Sequence, residues 1–386
     1  MKKYFQSSLL PILIFALICF NACSGSQKTT EENSFSEPAP IPETTPTPQD
    51  FYNPGPEDRL MQVVRRVYQD KKGNLWIGGD DLFRYNGKTL DLFDKEGGFN
   101  GLVVRRIAED KEGNIWLGTM NGIVKYDPSA SPGTAFTDYT KDNGLVDNDV
   151  WSIEIDHNGT IWAGTLGGVS RFDPSIEKFS LFDLPESEPD LTRGVTSERI
   201  VHCIMEDSQG KIWFGTNGGA YIYDPVAEKA GKEALTNISE EDGLCNNLVN
   251  DILEDKDGNI WFATHHNGVC VWEKASEDSG KKSFRHFTSE DGIRGTEAWS
   301  LFEDSKGNIW FPVENDGIYR YNPVTATFTN FSKKDGLPLG APHFAYEDKD
   351  GMFWMGGFGG LFRYDPSAAE EGREAFVKIT KDGPWE

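Results

Sequence analysis

The sequence is poor in positive charge, in cysteine and in long apolar runs, and each shortage excludes something. Lysine and arginine number 38 against 62 aspartates and glutamates, a formal charge of −24 over 386 residues. Phosphate recognition needs a basic surface, so nucleic acid is excluded as a partner. The acidity reads instead as a solvated, self-repelling surface that keeps the chain soluble. Five cysteines at irregular spacings lack the close ligand pairs of a metal site. There is no G-x-S-x-G nucleophile elbow and no phosphate loop. What the chain does have is aromatic volume: 11 Trp, 25 Phe and 12 Tyr supply the material of a substantial core.

The one concentrated apolar stretch, Leu9 to Phe20, follows Lys2 and Lys3 as the h-region of a signal peptide follows its n-region. It is shorter than the roughly 20 apolar residues of a spanning helix. It runs into Phe20-Asn21-Ala22-Cys23-Ser24-Gly25, which resembles a bacterial lipobox, although Phe20 and Asn21 depart from its usual residues. The resemblance implies removal of residues 1–22 and lipidation of Cys23, which would anchor the protein to the outer membrane, periplasmic or surface-exposed; ordinary cleavage with Cys23 incidental is the alternative. Residues 23–56 then form the lipidated end and a Ser/Thr/Pro/Glu-rich tether too poor in apolar residues to fold. Cys19 leaves with the signal. Cys203, Cys245 and Cys270 are expected as buried thiols, with one disulfide among the three left open.

From residue 57 to 386 the chain repeats. The pattern Asp-x-x-Gly-x-x-Trp occurs as Asp70/Gly73/Trp76, Asp110/Gly113/Trp116, Asp156/Gly159/Trp162 and Asp207/Gly210/Trp213. It continues as Asp255/Gly258/Trp261, Asp304/Gly307/Trp310 and Asp348/Gly351/Trp354. Steps of 40 to 51 residues between successive tryptophans mean propeller blades or another repeat array. Each unit holds four short β-like segments split by Gly- and Asn-bearing turns, with no helical periodicity. The expected fold is therefore all-β, a seven-bladed β-propeller of four-stranded antiparallel blades. Each motif Trp should fill the gap between neighbouring sheets, and each motif Asp should accept hydrogen bonds within its own turn. Blade one starts on its innermost strand and blade seven ends on its outermost. Closure is thus expected from packing, with Phe51–Leu60 as an undecided extra strand.

The fuller string D-x-x-G-x-(I/L)-W-(I/F/L)-G-T-x-x-G-(I/L/V)-x-(R/K)-(Y/F)-D-P closely resembles the two-component regulator propeller repeat. That repeat is found in extracytoplasmic sensor regions of bacterial hybrid histidine kinases and in stand-alone exported proteins. Three blades depart from it: Gly79-Asp80-Asp81 shortens a turn, Ala263 replaces a Gly, and Pro312-Val313 replaces Gly-Thr. The kinases continue into a β-sandwich, a membrane helix and a kinase domain, whereas this sequence stops at Glu386. The resemblance therefore implies a sensor that acts through an envelope partner. Streptogramin lyases, also seven-bladed and with a similar repeat, use a metal and a histidine at the channel mouth. No catalytic residue of theirs can be assigned here.

Candidate site residues lie where the repeats differ. Five residues before each turn Asp stand Arg65, Arg105, Trp151, His202, Asn250, Trp299 and His343. Four before stand Arg66, Arg106, Ser152, Cys203, Asp251, Ser300 and Phe344, whereas the positions six and three before are mostly apolar. In a propeller this strand lines the central channel, so the variable set should meet at one mouth; a mere water-filled lining is the alternative. Loops opening on the same face add His265, His266 and Glu314. Two adjacent histidines without a third ligand do not make a metal site, and neither metal nor cofactor is expected. The leading expectation is a non-catalytic module binding a sugar, oligosaccharide or peptide, with Trp151 and Trp299 stacking on it and Arg65, Arg105 and Asn250 bonding it. A metal-dependent lyase or hydrolase and a protein–protein scaffold are the alternatives.

Overall fold

The computed structural model describes residues 60–385 apart from Pro132, Asp190, 192–196, 275–282 and Thr296. The signal peptide, Cys23 and the tether lie outside the described residues. Among those described, 28 strands form seven four-stranded sheets, each an antiparallel meander in sequence order. Blade one runs through Val64–Gln69, Leu75–Gly79, Leu82–Tyr85 and Leu90–Phe93. The expected seven-bladed propeller is the observed fold. Among the described residues helix is limited to single turns and two five-residue pieces, Pro225–Lys229 and Pro366–Glu370. None of these helices is long and apolar enough to cross a membrane.

The motif folds as one hydrogen-bonded unit. In blade six, Asp304 Oδ1 accepts from Lys306 N at 3.0 Å and Asn308 N at 2.8 Å, and its Oδ2 accepts from Trp310 Nε1 at 2.8 Å. The Trp-to-Asp bond recurs in all seven blades. The Asp thus orients the indole as well as its own turn, which the sequence reading did not foresee. The motif Gly closes the turn in the left-handed region, at φ between 77° and 89°, where a side chain would be strained.

Buried apolar side chains gather into seven clusters, one at each seam between neighbouring blades. Each motif Trp lies in one. The Gly two residues after it keeps the seam tight: a Cβ on Gly78 would meet Val104 Cγ1 at 2.7 Å. Where blade five carries Ala263 in place of this Gly, the facing Val becomes Ala298, and both are fully buried in one cluster. The smaller Ala298 makes room for the added methyl, a compensating exchange of the kind cores tolerate. Pro312 acts differently. It has no N–H to give the ladder, and the inner strand of blade six pairs regularly only over Phe302–Glu303.

A second device joins the blades on the turn side. Glu109, Glu206, Glu254, Glu303, Glu347 and Gln69 each accept from a backbone N–H in the preceding blade's turn. At the remaining seam Ile155 takes that position, and Lys111 Nζ bonds His157 O at 2.6 Å instead. Blades seven and one share no strand, as expected. Their seam holds a single Val63–Phe358 bridge, a bond from the Gln69 backbone N–H to the Tyr346 hydroxyl, and Trp385 stacked on Tyr85 at 4.9 Å. Of the Phe51–Leu60 stretch only Leu60 is described, and it is buried in this cluster.

One expectation fails. Cys245 and Cys270 form a disulfide, so among the described residues only Cys203 is a buried thiol. Cys245 precedes the inner strand of blade five and Cys270 lies in its third strand, and blade folding brings them to a Cα separation of 5.9 Å.

Candidate functional site

The inner strands contain a feature that decides where their variable residues go. In blade one the pairing register slips between Val64 and Arg66, leaving Arg65 unpaired in a β-bulge. The same slip isolates Arg105, Trp151, His202, Asn250 and His343. In blade six Trp299 follows the isolated Ala298–Val313 bridge, and its N–H reaches Pro312 O at 3.3 Å. A bulge bends its strand and re-aims one side chain. Here six bulges, with Trp299 beside its isolated bridge, set the seven side chains that line one cavity.

These seven residues and Arg106 line one cavity of about 240 Å³. Several arrive already engaged. Arg105 pairs with Asp149 and lies over the Trp151 ring at 4.4 Å. Trp151 meets His202 edge-on at 5.5 Å, and His202 Nε2 contacts Asn217 Oδ1 at 2.8 Å. Asn250 Nδ2 donates to Ala298 O at 2.8 Å, tying blade five to blade six. Trp299 packs against His343 at 5.4 Å. One face of Trp151 thus serves as a platform for Arg105, which adjusts the expectation that it stacks on a ligand.

His265, His266 and Glu314 do not line this cavity. His265 Nδ1 lies 2.6 Å from Glu297 Oε1, and its ring is 4.4 Å from that of His266. The Glu297 carboxylate therefore stands beside His265, and the Glu314 N–H donates to Glu297 O at 3.0 Å. Among the described residues no three His, Cys, Asp or Glu side chains gather closely enough to hold a metal.

Next to the mouth residues lies a charge cluster in which Arg66, Arg106 and Asp251 share the column four residues before the turn Asp, and Glu154 stands two residues before Asp156. Arg106 approaches Asp251 at 3.9 Å. Burial, then Arg106, lowers the Arg66 guanidinium to about 10. Burial, reinforced by Glu206 and Asp156, pushes Glu154 up to about 8. At the mouth, burial and then Arg65 push His343 down to about 3, so its ring stays neutral at neutral pH.

These shifts set a pH profile. Glu154 has a folded pKa above its ordinary 4.5, so its contribution to stability is whole below about 4.5 and is lost as pH rises to about 8. His343 has a folded pKa below its ordinary 6.5, so its contribution is whole above 6.5 and is lost as pH falls to about 3. The two slopes oppose between 4.5 and 6.5. Above 6.5 only Glu154 acts of the pair, at about 1.4 kcal/mol per pH unit. Between pH 6.5 and 8 the parent should therefore lose about 2 kcal/mol more than Glu154→Gln. Urea titrations of both at the two pH values check this, and parallel losses would refute it.

Against this geometry stand the comparisons. The sequence model of the two component regulator propeller family matches residues 61–81, 98–121, 144–167, 194–218 and 243–266, one repeat in each of blades one to five. No curated protein matches the chain. The extracellular domain of BT3049, assigned to a hybrid two component system of B. thetaiotaomicron, is 26% identical with a TM-score of 0.64; the alignment covers 82% of this chain and 40% of that one. PorZ, a surface component of the type-IX secretion system of Porphyromonas gingivalis, aligns at 14% identity and a TM-score of 0.58 over 80% of this chain and 46% of its own. Virginiamycin B lyase from Staphylococcus aureus aligns at 14% identity and a TM-score of 0.57 over 78% and 93%. The last two likenesses are of fold alone.

Proposed function

This chain belongs to the two component regulator propeller family, and from that premise we propose that it works outside the cytoplasm as a non-catalytic binding propeller. Its ligand is a small polar molecule, a sugar or peptide fragment, captured at the mouth of the channel. One contrast supports the reading. The motif repeats in every blade, whereas the seven mouth residues vary among Arg, Trp, His and Asn and meet at a single cavity. A scaffold needs no such variation, and a recognition site does.

The compartment follows from the same proposal. The BT3049 segment that the chain resembles is an extracellular domain, and the buried Cys245–Cys270 disulfide suits an oxidising environment. Lipidation of Cys23 would tether the propeller to the outer membrane, each buried CH₂ adding about 0.8 kcal/mol. A propeller so placed passes its bound state to an envelope partner. The lyase alternative rests on fold likeness, which carries no activity.

A thermal-shift screen of the full-length chain against sugars, glycan fragments and peptides tests the site. A ligand at 100 times its dissociation constant should stabilise the fold by about 2.7 kcal/mol. That gain should vanish in the Trp151→Ala/Trp299→Ala variant. A gain that survives the double substitution would put binding elsewhere. Stabilisation only by another envelope protein would favour the scaffold reading.

A further inference from the structure

We infer that the mouth is built for a carboxylate: a single-ring, singly charged acid, of which a uronate is the simplest sugar form, seated on Arg65. The inference rests on the proposed binding role and names the ligand class. In a chain of net charge −24, the cavity lining holds three guanidinium groups and no carboxylate. Two of the three have a counter-charge beside them, Asp149 against Arg105 and Asp251 at 3.9 Å from Arg106. Arg65 has none. Among the described residues no carboxylate lies within ion-pair distance of it, and its Nε–H is buried with no hydrogen-bond partner.

A half-buried guanidinium left in this state is costly, because desolvation is uncompensated by pairing. Burial and the neighbouring Arg105 both act against its charge, and Asp80 and Asp149 offset them only from a distance. An incoming anion removes that cost. The terminal Nη edge of arginine offers two parallel N–H donors, which match the two oxygens of a carboxylate. One uncompensated cation calls for one negative charge. The cavity, at about 240 Å³, falls just below the range of roughly 300–1,000 Å³ common for small-molecule pockets, which limits the buried part to about one ring. Trp299 and the neutral ring of His343 supply a flat, uncharged wall for it.

Arginine-labelled ¹⁵N spectra of the full-length chain read the site directly. The Arg65 Nε–H resonance is identified by its absence from Arg65→Lys. D-glucuronate should shift it saturably and bind roughly tenfold or more tightly than D-glucuronamide, which has the same ring without the charge. Acetate should shift it weakly. Arg65→Gln should abolish the preference for the charged sugar and Arg65→Lys should keep part of it; neither should melt below the parent, and Arg65→Gln should melt at or above it because it removes an uncompensated charge. Equal binding of acid and amide, or no saturable shift with glucuronate, would overturn the inference. If neutral probes still bound in a Trp299-dependent way, the binding role would stand without it. If no mouth arginine responded to any probe in the screen, both would fall.

Discussion

Trp310→Ala should cost about 3–5 kcal/mol of unfolding free energy, the range for emptying a large aromatic site in a packed core. Trp310 is 1% exposed and lies in the seam between blades six and seven. Its ring is stacked on Phe331 at 5.3 Å and set against Phe353 at 4.6 Å. Removal opens a cavity and takes from Asp304 Oδ2 its indole donor. Trp310→Phe keeps most of the volume and loses the hydrogen bond, so it should cost about 1–2 kcal/mol. Denaturant titration followed by circular dichroism compares the two with Trp299→Ala, which removes cavity wall and should cost less than either. Similar losses for Trp310→Ala and Trp310→Phe would mean that the seam does not rest on the ring.

Cys245→Ala/Cys270→Ala should cost about 3 kcal/mol, chiefly through the unfolded chain. The bridge joins residues 25 apart, and closing a loop of that size removes about that much conformational freedom from the denatured ensemble. It ties the approach to the inner strand of blade five to the third strand of the same blade. Both sulfurs are buried, Cys245 at 4% and Cys270 at 0% exposure, so mild reductant should act on the folded protein only slowly. Comparing the denaturation midpoints of parent and variant under oxidising conditions measures the effect. A variant as stable as the parent would assign the bridge no part in holding blade five.

Much of this architecture is legible in the sequence because one motif recurs with one internal geometry. Asp, Gly and Trp hold fixed places in each turn, so counting back from Asp70, Asp110 and their equivalents lands on the same register of each inner strand. That constant offset is why the mouth residues emerge as a column. The bulge behind the column is not legible, since Val64-Arg65-Arg66 reads as ordinary strand until its partner is known. Contacts between blades are hidden for a related reason. Asp149 reaches Arg105 across a seam, and His265 meets Glu297 because of loop paths that no repeat encodes. Cys245 and Cys270 look unrelated at their spacing until two strands of blade five fold between them.

The bulges have an evolutionary consequence. A residue that answers to no partner across the strand can be exchanged without moving the register on either side of it. Blades that arise by copying can thus diverge at one place each while the joints between them stay under the same constraint. Descendants of such a ring inherit a fixed frame and an interchangeable set of teeth, and new specificity costs them little of the frame.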